Sequence, residues 1–231
     1  EFLAASDNWF RPVELINGPD GNVYIADMHR EVIETTLAMP PEMVKHLTPG
    51  NGVNLGRIYR VVRTDGPKRK LPRLGGLPTS ELVAMLDHRN SWHRETAARL
   101  LHEEQDTKAT AQIEKMLSDG VLAEGRLLAL YILKSRGSLR EVHLDKALVD
   151  KSAAVRRHAI RLAEGVVSDS PGLEAKLRAM ANDPAREVRY QLAFTLGQLP
   201  GAARLQALQV LLQKDAGDPW VRLAVLSSLA R

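Results

Sequence analysis

The chain contains no cysteine. That excludes disulfides, thiol nucleophiles, cysteine-ligated zinc, iron–sulfur clusters and covalently attached c-type haem within these residues, while leaving the compartment open. Long apolar runs are also missing: no stretch of about 18 apolar residues occurs, so no membrane-spanning helix is expected. Charge of one sign is nearly absent as an excess. There are 32 basic and 28 acidic residues, a net charge of +4. The balance is even in both parts, 10 basic to 9 acidic in residues 1–77 and therefore 22 to 19 in 78–231. A dedicated nucleic-acid binder concentrates more positive charge, so no nucleic-acid partner is expected. Gly50-Asn-Gly52 and Gly75-Gly76 fit neither dinucleotide nor phosphate-loop spacing. The seven histidines form no metal constellation, and His88 and His93 sit on the wrong faces of one helix for shared ligation. No carboxylate–His–Ser arrangement is evident, and Glu103-Glu104-x-Asp106 reads as a solvated helix end rather than an acid/base pair.

What is present is ordinary globular material, 44% hydrophobic and 26% charged over 231 residues. It changes grammar near residue 78. Residues 1–77 hold 8 of the 16 glycines and 7 of the 12 prolines, whereas 78–231 is rich in Leu, Ala and Arg. Gly and Pro punctuate turns and weaken helix interiors, so the first part reads as β and loop and the second as helical. The boundaries drawn are a β region at 1–63, a linker at 64–77 and a helical region at 78–231. The chain begins at Glu1 without an initiator Met or signal peptide and stops at Arg231 within a helical pattern, so it is read as an internal piece of a longer polypeptide.

A five-fold pattern runs through the helical region at Arg94, Arg126, Arg156, Arg189 and Arg222, spaced 32, 30, 33 and 33 residues apart. Each Arg opens a run of the form Arg-x-x-apolar-apolar-x-x-apolar. The clearest copies begin at Val155-Arg, Val188-Arg and Val221-Arg. Asp87, Asp119, Asp150 and Asp183 precede the first four anchors by six or seven residues, and Asp215 and Asp218 precede the fifth. A second amphipathic helix lies upstream of each Asp. The unit is a helix, a turn at the Asp, then a second helix, each with one apolar stripe that only stacking can bury. This Asp…Val-Arg-x-x-Ala pattern resembles HEAT repeats over roughly 78–231, with Ser91-Trp-His-Arg94 and Ala123-Glu-Gly-Arg126 departing from it by lacking the Val. The expected fold is mainly α, a HEAT-repeat α-solenoid of about five helix pairs. The resemblance implies that Asp87, Arg94, Asp119, Arg126, Asp150, Arg156, Asp183, Arg189 and Arg222 link neighbouring repeats; exposed arginines on a binding face are the alternative. Trp92 and Trp220, two residues before anchors, read as packing between repeats in preference to ligand stacking.

In the front part, Gly18-Pro-Asp-Gly21 marks a turn between strands at Phe10–Leu15 and Val23–Ala26, with a third strand at Gly56–Val62 and a short helical insertion at 40–47. Three short strands do not make a stable sheet domain alone. Phe10-Arg-Pro-Val, Gly18-Pro-Asp-Gly, Val23-Tyr-Ile-Ala-Asp27, Val32-Ile-Glu34 and Gly56-Arg-Ile-Tyr-Arg60 resemble the last β-propeller blade of sorbosone/glucose-dehydrogenase-like quinoproteins. Blade, linker and repeat array together resemble the membrane-bound dehydrogenases of planctomycetes and verrucomicrobia, in which a propeller is followed by HEAT repeats and a haem-binding domain. The resemblance implies a parent that oxidises a sugar or similar alcohol, with pyrroloquinoline quinone, calcium and haem c as cofactors of the parent and none bound by this piece alone. It implies a periplasmic or outer-side membrane-associated location, with upstream blades and a downstream haem domain as partners in the same polypeptide. It makes the array a scaffold between the catalytic propeller and the electron acceptor; no catalytic base is assignable. The rival reading is a non-enzymatic interaction module that holds a protein partner on the concave face of the solenoid.

Three residues stand out as candidate cofactor contacts. Arg11, on the first strand, is placed to approach an anionic quinone, or else to form a surface or blade-to-blade ion pair. Asp27 and Arg30 offer one carboxylate and one cation toward calcium or substrate, far short of a calcium cage, with strand capping as the alternative. Asp20 reads as turn chemistry, and Lys68-Arg69-Lys70 with Arg73 as a solvated linker or an anion contact.

Overall fold

The computed structural model describes all residues except 1–2, 34, 67–70, 72, 105, 107–108, 168–169, 200 and 230–231, and the side chain of 203. The basic run Lys68-Arg69-Lys70 and the Glu34 of the front motif thus lie outside the described residues. The chain forms two compact units, residues 1–73 with 90–92, and residues 74–89 with 93–231.

The first unit is built on a three-stranded antiparallel sheet in the order β1 (Pro12–Asn17), β2 (Val23–Asp27), β3 (Arg57–Val61). Gly18–Gly21 closes the β1–β2 hairpin; Gly21 sits at φ +77°, the left-handed region where a side chain is strained. Asp20 fixes the turn by accepting the Asn22 N–H (3.0 Å) and the Tyr24 hydroxyl (3.1 Å). The register aligns Leu15, Ile25 and Tyr59 on one face and Ile16, Tyr24 and Arg60 on the other. Strand β1 starts two residues later than the pattern predicts and carries an irregular register step between Pro12 and Glu14. The β2–β3 connection carries a single-turn helix α1 (Pro41–Val44), with Pro41 at its first turn.

The second unit is a run of five helix pairs among the described residues: α2 (Thr79–Met85) with α3 (Ser91–Glu104), α4 (Ala109–Asp119) with α5 (Ala123–Ser135), α6 (Glu141–Leu148) with α7 (Ala153–Ala163), α8 (Pro171–Ala179) with α9 (Arg186–Gln198), and α10 (Ala203–Lys214) with α11 (Pro219–Leu229). The helices follow the 3.6-residue period of their apolar residues. Ala109, Ile113 and Leu117 form the buried stripe of α4, and Val155, Ala159, Ile160, Leu162 and Ala163 that of α7. Helix starts and stops are local. Ser170 accepts the Leu173 N–H ahead of Pro171 at the start of α8. Gly137, at φ +64°, ends α5 with its N–H on Lys134 O and the Ser138 N–H on Leu133 O. The pairs stack in chain order, α5 on α7, α7 on α9 and α9 on α11, and one continuous apolar core runs through the stack.

Candidate functional site

The turns inside the pairs carry a ladder of charges. Arg126 donates from Nε and Nη2 to both Asp150 carboxylate oxygens (2.6 and 2.8 Å), and its Nη1 reaches Gly120 O and Val121 O of its own turn. Arg156 repeats this on Asp183 (2.7 and 2.8 Å) and on Asp150 O and Lys151 O. Arg189 repeats it on Asp215 (2.7 and 2.6 Å) and on Asp183 O and Pro184 O. Each guanidinium therefore ties its own turn to the carboxylate of the next pair, in the fork geometry that Arg alone supplies. Where the Asp lies six residues before its Arg, the carboxylate also fixes the turn just ahead of the following helix: Asp150 accepts the Ser152 N–H and Asp183 the Ala185 N–H. In the last pair, Asp215 holds the ladder and Asp218 does the capping, accepting from Trp220 and Val221.

Electrostatics follow the geometry. Burial pushes the Asp150 and Asp183 carboxyls up, but hydrogen bonds from Arg126 and Arg156 and from the Ser152 and Ala185 backbone N–H groups outweigh it and leave both below the usual range. The Arg189 hydrogen bonds do the same for Asp215 against its burial.

At the other anchors the arrangement differs. Arg94 holds its own turn through His88 O and Arg89 O (2.8 and 2.9 Å). Asp87 receives the Val121 and Leu122 N–H groups of the next turn (2.8 and 2.7 Å). Asp119 is exposed at the end of α4, and neither it nor the exposed Arg222 of α11 makes an ion pair among the described residues. A further tie joins α4 to α6, where Glu114 accepts from His143 Nε2 (3.0 Å) and Arg140 (2.7 Å).

The second helices also present a row of accessible groups. Tyr131 Oη lies 2.8 Å from His158 Nδ1, and Arg157 Nη2 lies 3.3 Å from His158 Nε2. A guanidinium only donates, so Nε2 is the acceptor and Nδ1 carries the proton toward Tyr131. Burial, then the charges of Arg157 and Arg161, hold the His158 pKa below its ordinary value. Tyr190 and Phe194 meet edge to face at 5.1 Å one pair further on. Beside Tyr190, an open groove of about 550 Å³ is lined by Arg186, Glu187, Asp218, Trp220 and Val221. Trp220 is exposed. Its place in the repeat matches that of Glu187, which is also exposed, and at 66% exposure it is not packed between repeats as the sequence suggests.

In the first unit, the Asp27 side chain is fully buried. Its Oδ1 accepts the Arg11 and His29 backbone N–H groups (2.7 and 2.9 Å). Burial raises its pKa, and these two hydrogen bonds and the nearby cationic groups outweigh that and lower it. Its Oδ2 and the buried His29 Nδ1, 3.9 Å apart, have no hydrogen-bond partner among the described residues. Asp7 Oδ2 stands 3.6 Å from His29 Nδ1 and 3.6 Å from Arg57 Nη1, and Arg57 Nη2 stands 2.6 Å from His29 Nε2. His29 takes a positive φ of +47°, and Trp9 covers its ring at 5.4 Å. The Arg11 guanidinium spends its donors on the carbonyls of Asn8, Phe10 and Glu31. Arg30 is half-buried, with its backbone N–H on Trp9 O. Among the described residues no three His, Asp or Glu side chains form a metal-binding group. Arg57 beside Asp7 places a cation where calcium would need further oxygen ligands, so these residues do not fit a calcium site.

The sequence singled out Arg11, Asp27 and Arg30; the structure places Arg11 and Asp27 in contact and surrounds Asp27 with Asp7, His29 and Arg57, which sequence reasoning passed over. The signal was the strand register, since Asp27 pairs directly with Arg57 across β2 and β3.

Residues 1–65 match the family model described as a domain of unknown function, DUF7133. Residues 141–230 match the HEAT-repeat family model, which spans α6 to α11 and contains the clamps Arg156–Asp183 and Arg189–Asp215. No curated protein matches the chain. The chain is thus mainly helical, with a small antiparallel sheet in its first part and HEAT-like repeats following in sequence, repeats of a kind that suggests a scaffold or interaction module. Among the described residues no helix is long and apolar enough to cross a membrane.

Proposed function

We propose that the helical array is a stiff scaffold whose second helices hold a protein partner on the concave face of the solenoid. The observation that carries this is the row running from Tyr131 through His158, Arg157 and Arg161 to Tyr190 and Phe194. It is made of aromatic and Arg side chains of the kind that anchor protein interfaces, set on helices that the Arg–Asp clamps hold in register. Photo-crosslinking tests it, with a crosslinkable residue placed at Arg161, at Phe194, or at Lys176 as a control on a first helix. Crosslinks to one protein from the first two positions and none from the third are expected. Equal capture from all three, or none from Arg161 and Phe194, refutes the reading.

A second reading names what is scaffolded: the parent is a quinoprotein-type sugar or alcohol dehydrogenase, and the array stands between its propeller and an electron-accepting haem domain. Supporting it are the order of the front motifs and the exposure of apolar side chains on both faces of the sheet. Leu15 is 57% exposed on one face, and Ile16 and Ile58 are 56% and 77% exposed on the other. A sheet left apolar on both sides suits the place of a blade between neighbouring blades. The test is oxidation of a sugar panel by the parent polypeptide with an artificial electron acceptor, with and without added quinone and calcium. Quinone-dependent turnover is expected; a parent with no flanking blade-like repeats and no turnover under any condition refutes it.

A further inference from the structure

Helix α7 lies in the middle of the array, with two helix pairs on each side of it. Its accessible face departs from those of its neighbours. Stepping forward 33 residues takes Arg157 and Arg161 to Tyr190 and Phe194 of α9, and stepping back 30 takes them to Leu127 and Tyr131 of α5. Two cations one helical turn apart thus interrupt a strip that is apolar or aromatic in the pairs on both sides. Neither cation has an ion-pair partner among the described residues. In the first pair the place of Arg161 belongs to Arg99, which Glu103 answers four residues on at 2.8 Å. Four residues after Arg161 stands Gly165. The adjacent Glu164 is turned to the next pair, where its Oε1 accepts from Thr195 Oγ1 (2.6 Å) and Gln191 Nε2 (3.4 Å). Arg157 spends one donor on His158 Nε2, an acceptor that offsets none of its charge. Like charges at this helical spacing repel.

We infer that α7 receives an acidic segment of the partner protein, with two carboxylates on Arg157 and Arg161 and apolar residues to either side lying against α5 and α9. This recognition presupposes the reading above, in which the second helices hold that partner, and names the chemistry they select. A carboxylate matches the guanidinium fork, and docking it offsets the repulsion between the two cations. A polyphosphate or nucleic acid calls for a longer run of cations than two bracketed by aromatic rings. Both arginines sit on an interior pair, so their exposure does not depend on where the chain begins or ends.

The probe is a synthetic peptide with blocked ends, Phe-Ala-Glu-Glu-Ala-Phe, titrated into the whole chain and followed by NMR. His158 is the reporter. Burial, then the charges of Arg157 and Arg161, hold its pKa low, so carboxylates docked on the two arginines are expected to raise its midpoint. The same peptide with glutamine for glutamate is expected to leave the midpoint in place. Affinity for the acidic peptide is expected to fall about threefold to fivefold for Arg161→Gln, and about tenfold or more for Arg157→Gln and Arg161→Gln together. Inorganic tripolyphosphate is expected to bind more weakly than the peptide, because it cannot use the flanking rings. Crosslinking separates this inference from the reading it presupposes. A protein captured from position 194 whose capture the acidic peptide fails to compete with keeps the partner and sinks the acidic segment. No captured protein, with the peptide bound through both arginines, does the reverse. The inference is also overturned by equal binding of the glutamine peptide, by affinity indifferent to both arginines, by tighter binding of tripolyphosphate, or by a crosslink from position 194 that lands within the parent polypeptide itself.

Discussion

Replacing Arg189 with Ala is the sharpest test of the ladder. The Arg189 and Asp215 side chains are only 8% and 5% exposed. Four donor contacts vanish at once: two to the Asp215 carboxylate at 2.7 and 2.6 Å, and two to Asp183 O and Pro184 O at 2.6 and 3.0 Å. Removing one partner of a buried ion pair leaves an uncompensated charge and costs about 3–5 kcal/mol. That is a large fraction of the roughly 5–15 kcal/mol that holds a domain folded. The paired change Arg189→Leu with Asp215→Leu separates the charge from the carbonyls. An apolar swap for a buried pair is close to neutral, yet the two turn carbonyls still lose their donor, at about 1–3 kcal/mol for a buried group left unsatisfied. The double variant is therefore expected to be more stable than the single one. Urea unfolding followed by circular dichroism at 222 nm reads both through the linear dependence on denaturant. Because a stack adds up nearest-neighbour contacts, the loss falls on α10 and α11, whose amides should exchange faster than those of α5 and α7. A single variant within about 0.5 kcal/mol of the parent, the range of ordinary surface changes, or a double variant worse than the single, refutes the reasoning.

Other consequences are open to measurement. Asp150, Asp183 and Asp215 have folded pKa values below their unfolded ones, so the stability they supply is complete above the unfolded value of about 3.9 and is lost as pH falls through the folded values. Urea midpoints should hold between pH 7 and 5 and drop below about 4, and the drop should be shallower in Asp183→Asn. Gly125→Ala should destabilise by about 1–3 kcal/mol, even though Ala gains about 1 kcal/mol in helix propensity, because the new Cβ meets Leu86 O at 2.8 Å and Asp87 Oδ1 at 3.1 Å; a rise in thermal midpoint would contradict it. His158 should titrate below the ordinary histidine value in an NMR pH series, since burial disfavours the charged ring and protonating Nε2 also sets it against Arg157; a normal or raised midpoint would show that the buried Tyr131–His158–Arg157 arrangement does not persist in solution.

The helix pairs were legible because burial and period coincide: the anchors at 156, 189 and 222 each head a stripe that a neighbour covers or leaves open. The pairing rule was less legible. Asp119 and Asp215 both lie seven residues before an Arg, yet Asp215 is clamped by Arg189 while Asp119 has no such partner among the described residues. That outcome depends on how one pair is rotated on the next, which no spacing within a repeat encodes. In the front unit, Asp20 was readable because turn chemistry is local. The grouping of Asp7, Asp27, His29 and Arg57 was not, because it needs the β2–β3 register and a left-handed His29, a conformation uncommon in any non-glycine residue.

The ladder lies wholly along the turns inside the pairs. Among the described residues of the links between pairs, on the opposite edge, Gly137 and Gly201 take left-handed conformations, Arg136 reaches the Leu101 and Asp106 carbonyls, and the one charge match is the more exposed Arg140–Glu114 pair. The array is therefore bound like a book: buried two-pronged clamps stitch the spine, and the described contacts of the fore-edge are fewer and more exposed. Pulling on it should fan the helix pairs open about the stitched edge before any of them separates. A partner gripping the loose edge would feel a soft spring, and one gripping the spine a rigid bar.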